Sequence, residues 1–212
     1  MNVFTIEHSK TAYWADFAFY GITIVVFAVV LVVGTPQALW PRVSLWAITG
    51  VVGWSALEYV VHRFLFHGVQ PFRRWHAEHH ARPTAFICAP TIVTASVLGT
   101  FLFFPAWLMG GAWSACALTF GVLCCYVAYA TTHHAIHHWR AKSAWLRRRQ
   151  RWHFIQHNAR RPCCYGVTSS IWDIACGSTR PEHKSTPEEA TDQRLSDRSA
   201  RAFRSAKAAT LG

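Results

Sequence analysis

Three long stretches of this chain carry no lysine or arginine: residues 17–33, 43–61 and 83–139. Apolar side chains dominate these stretches, while the basic residues crowd into the short connections and the C-terminal third. A membrane-spanning helix needs about 20 predominantly apolar residues, because the hydrocarbon core of a bilayer is about 30 Å thick. The pattern therefore predicts an all-α membrane protein in which each uncharged stretch crosses the bilayer.

The longest uncharged stretch has room for two crossings, which gives four predicted spans. They run over residues 17–33, 43–61, 85–104 and 111–130. The third span is the least regular, because Pro90 kinks a helix and Pro105 closes it. A set of buried helices in a soluble core is the alternative, but 212 residues leave too little polar surface to cover four such runs.

Length and charge limit the domain organisation. The chain has 212 residues, of which 52% are hydrophobic, and a formal net charge of +11. This length suits one domain. We expect a membrane domain over residues 1–180 and a polar cytoplasmic tail over residues 181–212. The first span begins late and lacks a small-residue cleavage pattern, so we expect it to be retained rather than removed as a signal peptide.

The distribution of basic residues predicts the orientation. With four spans, both termini share a side with the loop over residues 62–84, and the opposite side has only the connectors 34–42 and 105–110. Those connectors contain one of the 21 basic residues, Arg42. The positive-inside rule therefore places both termini and the loop in the cytoplasm, at a bacterial inner membrane or the endoplasmic reticulum.

Histidines gather at the predicted cytoplasmic ends of the spans. Eleven of the 13 lie between positions 62 and 157. They form four clusters: His62 and His67; His76, His79 and His80; His133, His134, His137 and His138; and His153 and His157. Residues three or four apart share a helix face, so three helical segments can direct imidazoles at one volume. His62 and His67 are five apart, and we expect the chain to bend between them.

Histidine clusters of this kind are typical of metal sites. A lone histidine is more often a surface residue, which is our interpretation of His8 and His183. A metal-storage tract would be contiguous, whereas these clusters alternate with Arg, Trp and apolar residues. Imidazole suits iron, copper, zinc and nickel, and about ten ligands indicate two ions. The seven cysteines lie outside the clusters and form no CxxC motif, which disfavours a structural zinc site.

Four segments resemble the ordered histidine boxes of a known family: "EYVVHRFLFH", "WHAEHHARP", "ATTHHAIHH" and "HFIQHNARRPCCYGVTSSIWDIACGS". The family is the membrane fatty acid hydroxylase and sterol desaturase superfamily, and within it the fatty acid 2-hydroxylases. The resemblance covers about residues 54–178. The boxes are specific for the superfamily and less so for the 2-hydroxylases, because sterol oxidases and carotenoid hydroxylases use related boxes.

The resemblance implies a cytoplasmic non-haem centre of two iron ions, with zinc as an alternative occupant after purification and O2 as co-substrate. It implies nine histidine ligands: His62, His67, His76, His79, His80, His133, His137, His153 and His157. His138 matches a further histidine that is common in the family. Where the family has another histidine, this chain has Gln156, whose amide oxygen is a weaker donor to iron. His134 or His138 can compensate, and His134 is otherwise expected to support the ligands. No catalytic residue is expected beyond the metal centre.

Two acidic residues are expected to support the ligands. Glu58 precedes His62 by one turn, close enough to accept a hydrogen bond from its ring and fix its tautomer. Acids inside membrane segments are usually functional, which favours this role over contact with water. Asp173 is the second candidate, through the family resemblance alone. Glu78 points away from the histidine face of its helix, and we interpret it as a surface residue.

Two kinds of partner are expected besides the substrate. The basic run over residues 139–152 follows the fourth span directly, so its arginines should contact anionic lipid headgroups, and we expect no nucleic acid partner. No segment resembles a haem or iron-sulfur reductase domain. Electrons therefore have to come from a separate ferredoxin or from a small cytochrome with its reductase.

These features predict a membrane monooxygenase that hydroxylates a lipid acyl chain from within the bilayer, at the carbon next to the carbonyl. An unactivated C–H bond offers nothing to acids or bases, so it requires O2 and a redox metal. A sterol or carotenoid oxidase or desaturase of the same superfamily is the alternative within this chemistry. A histidine-rich metal transporter or sensor is the alternative from another class, but a transporter would carry ligands along a path across the bilayer.

Overall fold

The structure is a computed structural model that describes residues 6–159 and 162–179. Within this part of the chain, the regular elements are all helical, and strand pairing is limited to an isolated bridge between Glu7 and Ile87. Helices suit a lipid environment because each helix satisfies its own backbone hydrogen bonds. The tail expected over residues 181–212 lies outside the described residues.

The helices follow one another with short connections. In chain order they are α1 (Lys10–Gly34), α2 (Trp40–Val60), α3 (Phe72–Ala81), α4 (Thr91–Leu98), α5 (Phe104–His138), α6 (Ala144–Asn158) and α7 (Ile171–Ala175). A short 3-10 turn precedes α2, and two π-helical turns follow α2 and α4: Gln37–Leu39, Val61–Phe66 and Gly99–Phe103. Serine side chains cap the starts of α1 and α6, where Ser9 accepts from the amide of Ala12 and Ser143 from that of Leu146.

Three helical stretches of the described chain are long and apolar enough to cross a membrane: Lys10–Gly34, Gln37–Phe66 and Thr91–His138. Their outer surfaces carry large apolar side chains. Val33 is 80% exposed, Met109 78% and Phe101 75%. Exposed apolar side chains along whole helices are costly in water and are what a lipid-facing surface requires. The chain is therefore an integral membrane protein.

The third stretch reverses direction at Gly111, whose φ of 76° and ψ of 177° break the helix. Before the break, the segment runs alongside α1: the carbonyl of Thr91 accepts from the hydroxyl of Tyr20, and the ring of Phe103 lies beside that of Phe27. After the break, Tyr126 contacts Tyr20 again, with ring centroids 4.8 Å apart. Residues 91–138 thus form two antiparallel segments rather than one straight helix. Glycine fits this turn because it adopts a positive φ without a steric penalty.

The helix expected over residues 85–104 begins and ends elsewhere. It begins at Thr91, because Pro90 lacks an amide hydrogen and stands at the N-cap. It continues past Pro105 as far as the break at Gly111, so the expected end at Pro105 is wrong. The π-helical turn just before Pro105 widens the helix where the proline ring would otherwise meet a carbonyl of the preceding turn.

A close crossing of α2 and α5 positions the two helices that end in histidines. Gly50 faces the carbonyl of Leu118, and Gly121 faces the carbonyl of Ala47. Small residues at such a crossing allow two backbones to approach within contact distance. The crossing lies about three turns before the histidines of each helix. It therefore brings the end of α2 beside the end of α5.

Candidate metal centre

A π-helical turn sets the relative position of the first two histidines. The amide nitrogen of His67 lies 3.3 Å from the carbonyl oxygen of His62, which is the i to i+5 pairing of a π-helix. The two rings stack with centroids 5.3 Å apart. The bend expected between these residues is therefore wrong. The wider π turn puts residues five apart on one face, and π turns of this kind occur frequently at functional sites.

Four histidines converge in a first cluster, which consists of His62, His67, His76 and His80. The Nε2 atoms of His62 and His76 are 3.0 Å apart, and those of His76 and His80 are 2.9 Å apart. Gln156 closes this cluster, since its amide nitrogen lies 2.7 Å from Nε2 of His67. The residues come from the π turn, α3 and α6.

Five histidines converge in a second cluster, which consists of His79, His133, His137, His153 and His157. The Nε2 atoms of His133 and His137 are 3.3 Å apart, and those of His137 and His153 are 3.0 Å apart. His157 follows, with its Nε2 atom 2.9 Å from that of His153. His79 also belongs here, because one of its ring nitrogens lies within 4.8 Å of donors from His133, His137 and His153.

The two clusters share a border. The rings of His80 and His157 stack face to face, with centroids 4.0 Å apart and an angle of 4° between their planes. Helix α3 contributes to both sides, because His79 points to the second cluster while His76 and His80 point to the first. The structure thus brings together all nine histidines that the family resemblance implies as ligands.

His134 and His138 lie outside both clusters. Nδ1 of His134 lies 3.1 Å from the hydroxyl of Tyr13, and the ring of His138 stacks on His134 and on Phe86. The expectations that His138 is a ligand and that either residue compensates at the metal centre are therefore wrong. The reason is the helical repeat, because these residues lie one position beyond His133 and His137, about 100° around α5. His134 instead ties the end of α5 to α1.

The spacing of the nitrogens fits a metal ion. Two donors bound to one ion at about 2.1 Å lie about 3.0 Å apart in octahedral and about 3.4 Å apart in tetrahedral geometry. Neighbouring Nε2 atoms within the clusters lie 2.9 to 3.3 Å apart, and the candidate donor atoms of His79, His133, His137 and His153 all lie within 4.8 Å of one another. His79 is only 5% exposed, and neither of its buried ring nitrogens has a hydrogen-bond partner. A buried polar group without a partner is costly, and a bound cation removes that cost.

Burial favours the neutral form of the clustered imidazoles on α3 and α6. Burial, together with neighbouring imidazoles, lowers the pKa of His80 to about 3 and that of His157 to about 4. The same causes hold the pKa of His76 and His153 well below the usual value. Neutral imidazole is the form that binds a metal, so no proton has to leave these ligands before binding.

The loop over residues 162–170, between α6 and α7, orients His62. Nδ1 of His62 donates to the backbone carbonyl of Tyr165 at 2.5 Å, which leaves Nε2 as a lone-pair donor toward the first cluster. Glu58 holds the same loop, because its carboxylate accepts from the amides of Val167 and Thr168 at 2.8 and 2.9 Å and from the Thr168 hydroxyl. The expected hydrogen bond from His62 to Glu58 is therefore wrong. Glu58 acts on the ligand through the loop.

Asp173 holds the loop from its other side. The residue is fully buried, and its carboxylate accepts from the amides of Tyr165 and Gly166, each at 2.8 Å. It also accepts from the Ser178 hydroxyl and from the indole of Trp152. The sequence indicated Asp173 as a residue that supports the ligands but did not indicate Tyr165. Tyr165 acts through its backbone carbonyl, which every residue type has.

A cleft of about 560 Å³ opens onto both clusters. Its lining combines four of the clustered histidines with apolar and polar side chains: His80, His137, His153, His157, Pro83, Ile136, Phe154, Gln150, Arg151 and Asn158. The cleft is thus a route by which a small molecule or a partner reaches the imidazoles. Glu78 stays outside it, with a 43% exposed side chain paired to Arg82 at 2.7 Å, as expected of a surface residue.

Comparison with known proteins agrees with this site. The family model described as fatty acid hydroxylase matches residues 46–178. A dihydroceramide fatty acyl 2-hydroxylase of Arabidopsis thaliana is 31% identical over 80% of this chain and 74% of its own length. A fatty acid 2-hydroxylase of Homo sapiens is 26% identical over 71% of this chain and 42% of its own length. A solved structure described as full-length scs7p, with only the hydroxylase domain visible, shares the fold with a TM-score of 0.69 at 22% identity, over 80% of this chain and 67% of that chain.

Proposed function

Because the chain belongs to the fatty acid hydroxylase family, we propose that it hydroxylates the acyl chain of a membrane lipid at the 2-position, using O2 and electrons from outside the chain. The observation that carries this proposal is the meeting of two imidazole clusters at one border. Relatives named as 2-hydroxylases of dihydroceramide acyl chains and of fatty acids support the position of the new hydroxyl group.

The proposed cofactor is a pair of iron ions, one held by each cluster. His62, His67, His76 and His80 would hold one ion, and His79, His133, His137, His153 and His157 the other. When bound, the ions supply the O2 chemistry that an unactivated C–H bond requires. Imidazoles suit this task because they are not oxidised as thiolates are. Zinc is the alternative occupant after purification.

The residues of this chain contribute position and protonation state. The loop carbonyl of Tyr165 fixes the His62 ring, and Glu58 and Asp173 fix the loop. Low pKa values keep the ligands from α3 and α6 neutral. Apart from the side that faces the cleft, burial of the rings would limit contact between bulk water and bound metal, and so limit unproductive loss of electrons.

We propose four membrane crossings, with both termini and the histidine clusters in the cytoplasm. The reversal at Gly111 supports two crossings within residues 91–138. Arg42 donates to the carbonyl of Gly110 at 3.0 Å, which joins the two connectors on the side that carries almost no basic residues. The proposed domain division is a membrane domain over residues 1–180 and a cytoplasmic tail over residues 181–212. Cysteine labelling from each side of sealed vesicles tests the orientation.

Two partners belong to the proposal. Electrons would come from a separate ferredoxin or small cytochrome, reaching the histidines through the cleft described above. Anionic headgroups would contact α6, whose exposed side chains combine Arg147, Arg148 and Arg151 with Trp145 and Phe154. Basic and aromatic side chains together favour a membrane surface. Arg149 is the exception, since it is 4% exposed and lies over the ring of Trp152.

Lipid analysis tests the proposed function. Cells that express the chain should accumulate 2-hydroxy acyl chains, and cells that express His79→Ala at the same level should not. An unchanged acyl profile with altered sterols or carotenoids would instead assign the chain to another branch of the superfamily. A metal transporter would change cellular metal content and leave all three lipid classes unchanged.

A further inference from the structure

Gln156 lies inside the first cluster, where its environment is unusual for an amide. The residue is on α6, three positions after His153, and is only 3% exposed. Its amide nitrogen lies 2.7 Å from Nε2 of His67, 3.1 Å from that of His62 and 3.2 Å from that of His80. Three imidazole nitrogens thus surround one end of this side chain.

The hydrogen bonds of this arrangement do not balance. An amide nitrogen has two hydrogens, so it can donate to only two of the three ring nitrogens. At least one of those nitrogens carries a lone pair in this direction, because His62 uses its Nδ1 hydrogen for the carbonyl of Tyr165. The Oε1 atom of Gln156 is buried and has no hydrogen-bond partner. A buried acceptor without a partner is destabilising.

A half-turn of the amide changes this balance when a cation is present. The terminal torsion of glutamine is soft and roughly two-fold, so Oε1 and Nε2 can exchange places with little change in shape. Without a cation, the lone pairs of an oxygen in this place would be repelled by the lone pairs of unprotonated ring nitrogens. With a cation among those nitrogens, the same oxygen becomes an additional donor.

We propose that Gln156 is a metal ligand of the first cluster through Oε1. The proposal rests on the proposed function for the presence of two ions. An amide oxygen is a harder and weaker donor than imidazole to iron or zinc. The first cluster, with its four imidazoles and one amide, therefore holds its ion less tightly than the second cluster, which has five imidazoles.

Metal titration of the purified full-length chain tests this inference. The chain is loaded with Zn²⁺, and the bound metal is measured against a graded series of chelator concentrations. We expect two equivalents that leave in separate steps. In Gln156→His the weaker step should move toward the tighter one by about tenfold or more in affinity, which corresponds to about 1.4 kcal/mol per tenfold. In Gln156→Leu the weaker step should move to still lower affinity, because only the four imidazoles remain, and the tighter step should stay unchanged.

Two further variants separate ligation from packing. Gln156→Glu keeps the shape and puts a charged oxygen in place of the amide, so it should tighten the weaker step if oxygen is the donor. Ala144→His adds a histidine at the exposed start of the same helix, away from the cleft lining, and should leave both steps unchanged.

Four results would overturn the inference: a single step for both ions in the unaltered chain, no further weakening of the weaker step in Gln156→Leu, no tightening in Gln156→Glu, or equal shifts in Gln156→His and Ala144→His. The titration is independent of the lipid analysis. If 2-hydroxy lipids are absent and the steps behave as expected, the proposed substrate fails while the role of Gln156 stands. If the lipids appear and the steps do not differ, only the role of Gln156 fails.

Discussion

Nδ1 of His62 and the carbonyl oxygen of Tyr165 are 2.5 Å apart, although 103 positions separate the two residues in the chain. A carbonyl can only accept, so the ring donates from Nδ1 and turns an unprotonated Nε2 toward the first cluster. A loop near the end of the described chain thus sets the tautomer of a histidine at the end of a membrane helix.

Asp173→Asn should weaken metal binding without removing any histidine. The buried carboxylate accepts hydrogen bonds from four donors, and an amide nitrogen in place of either oxygen turns its hydrogens toward one backbone N–H and one side-chain donor. Displacement of the loop would release His62, and outer partners of this kind are worth about 10–100-fold in metal affinity. Competition with a chelator measures the change. Unaltered affinity would show that the loop does not orient the ligand.

Tyr165→Phe should leave metal affinity close to that of the unaltered chain. The contact to His62 uses the backbone carbonyl, which the substitution keeps. The hydroxyl is not part of that contact, and the ring can remain beside His62 and His67. The same chelator titration gives the comparison with Asp173→Asn. A loss as large as that of Asp173→Asn would point to the tyrosine side chain instead of the loop backbone.

His137→Ala and His138→Ala should have opposite outcomes despite being neighbours. His137 lies in the second cluster, with its Nε2 atom 3.0 Å from that of His153, whereas His138 stacks on His134 outside both clusters. We expect His137→Ala to lose metal and lipid hydroxylation, and His138→Ala to retain both. Metal content per chain and 2-hydroxy lipid content are the measurements. Equal loss in the two variants would contradict the assignment of ligands on α5.

Gly50→Ala should destabilise the protein, and Gly53→Ala should not. A methyl group at Gly50 would meet the backbone at Leu118 of α5, while a methyl group at Gly53, on the same helix, has no neighbour within 4 Å. Forcing packed backbones apart costs about 1–3 kcal/mol. Thermal unfolding in detergent micelles tests both variants. A similar Tm for the two would mean that α2 and α5 do not need this close approach.

Metal removal should lower the stability of the folded chain. An ion that binds the native state but not the unfolded state adds about 4 kcal/mol when its free concentration is a thousandfold above Kd. We therefore expect a lower Tm after treatment with a chelator and recovery on addition of Zn²⁺ or Fe²⁺. Mg²⁺ is the control, because it prefers oxygen ligands and should not restore the Tm. Recovery with Mg²⁺ would argue against imidazole ligation.

The sequence by itself determined the membrane character and the segments that carry the clustered histidines. Uncharged runs of about 20 residues have few alternatives to a membrane helix, because a chain of this size cannot cover them otherwise. Histidines four apart share a face of any regular helix, so the pairing of histidines within α5 and α6 followed from spacing, although spacing did not distinguish His133 and His137 from His134 and His138. His133 and His137, with His153 and His157, therefore lie together as the spacing indicates.

Only the tertiary structure decided how these pieces meet. A π turn, which residue types do not signal, brought His67 beside His62 and replaced the expected bend. The rotation of α5 against α2 and α6 left His138 outside, because one residue step turns a helix by about 100°. The loop carbonyl at Tyr165 and the buried amide of Gln156 act through contacts between residues about ninety or more positions apart. Spacing along the chain carries no information on such contacts, since they depend on how the helices pack.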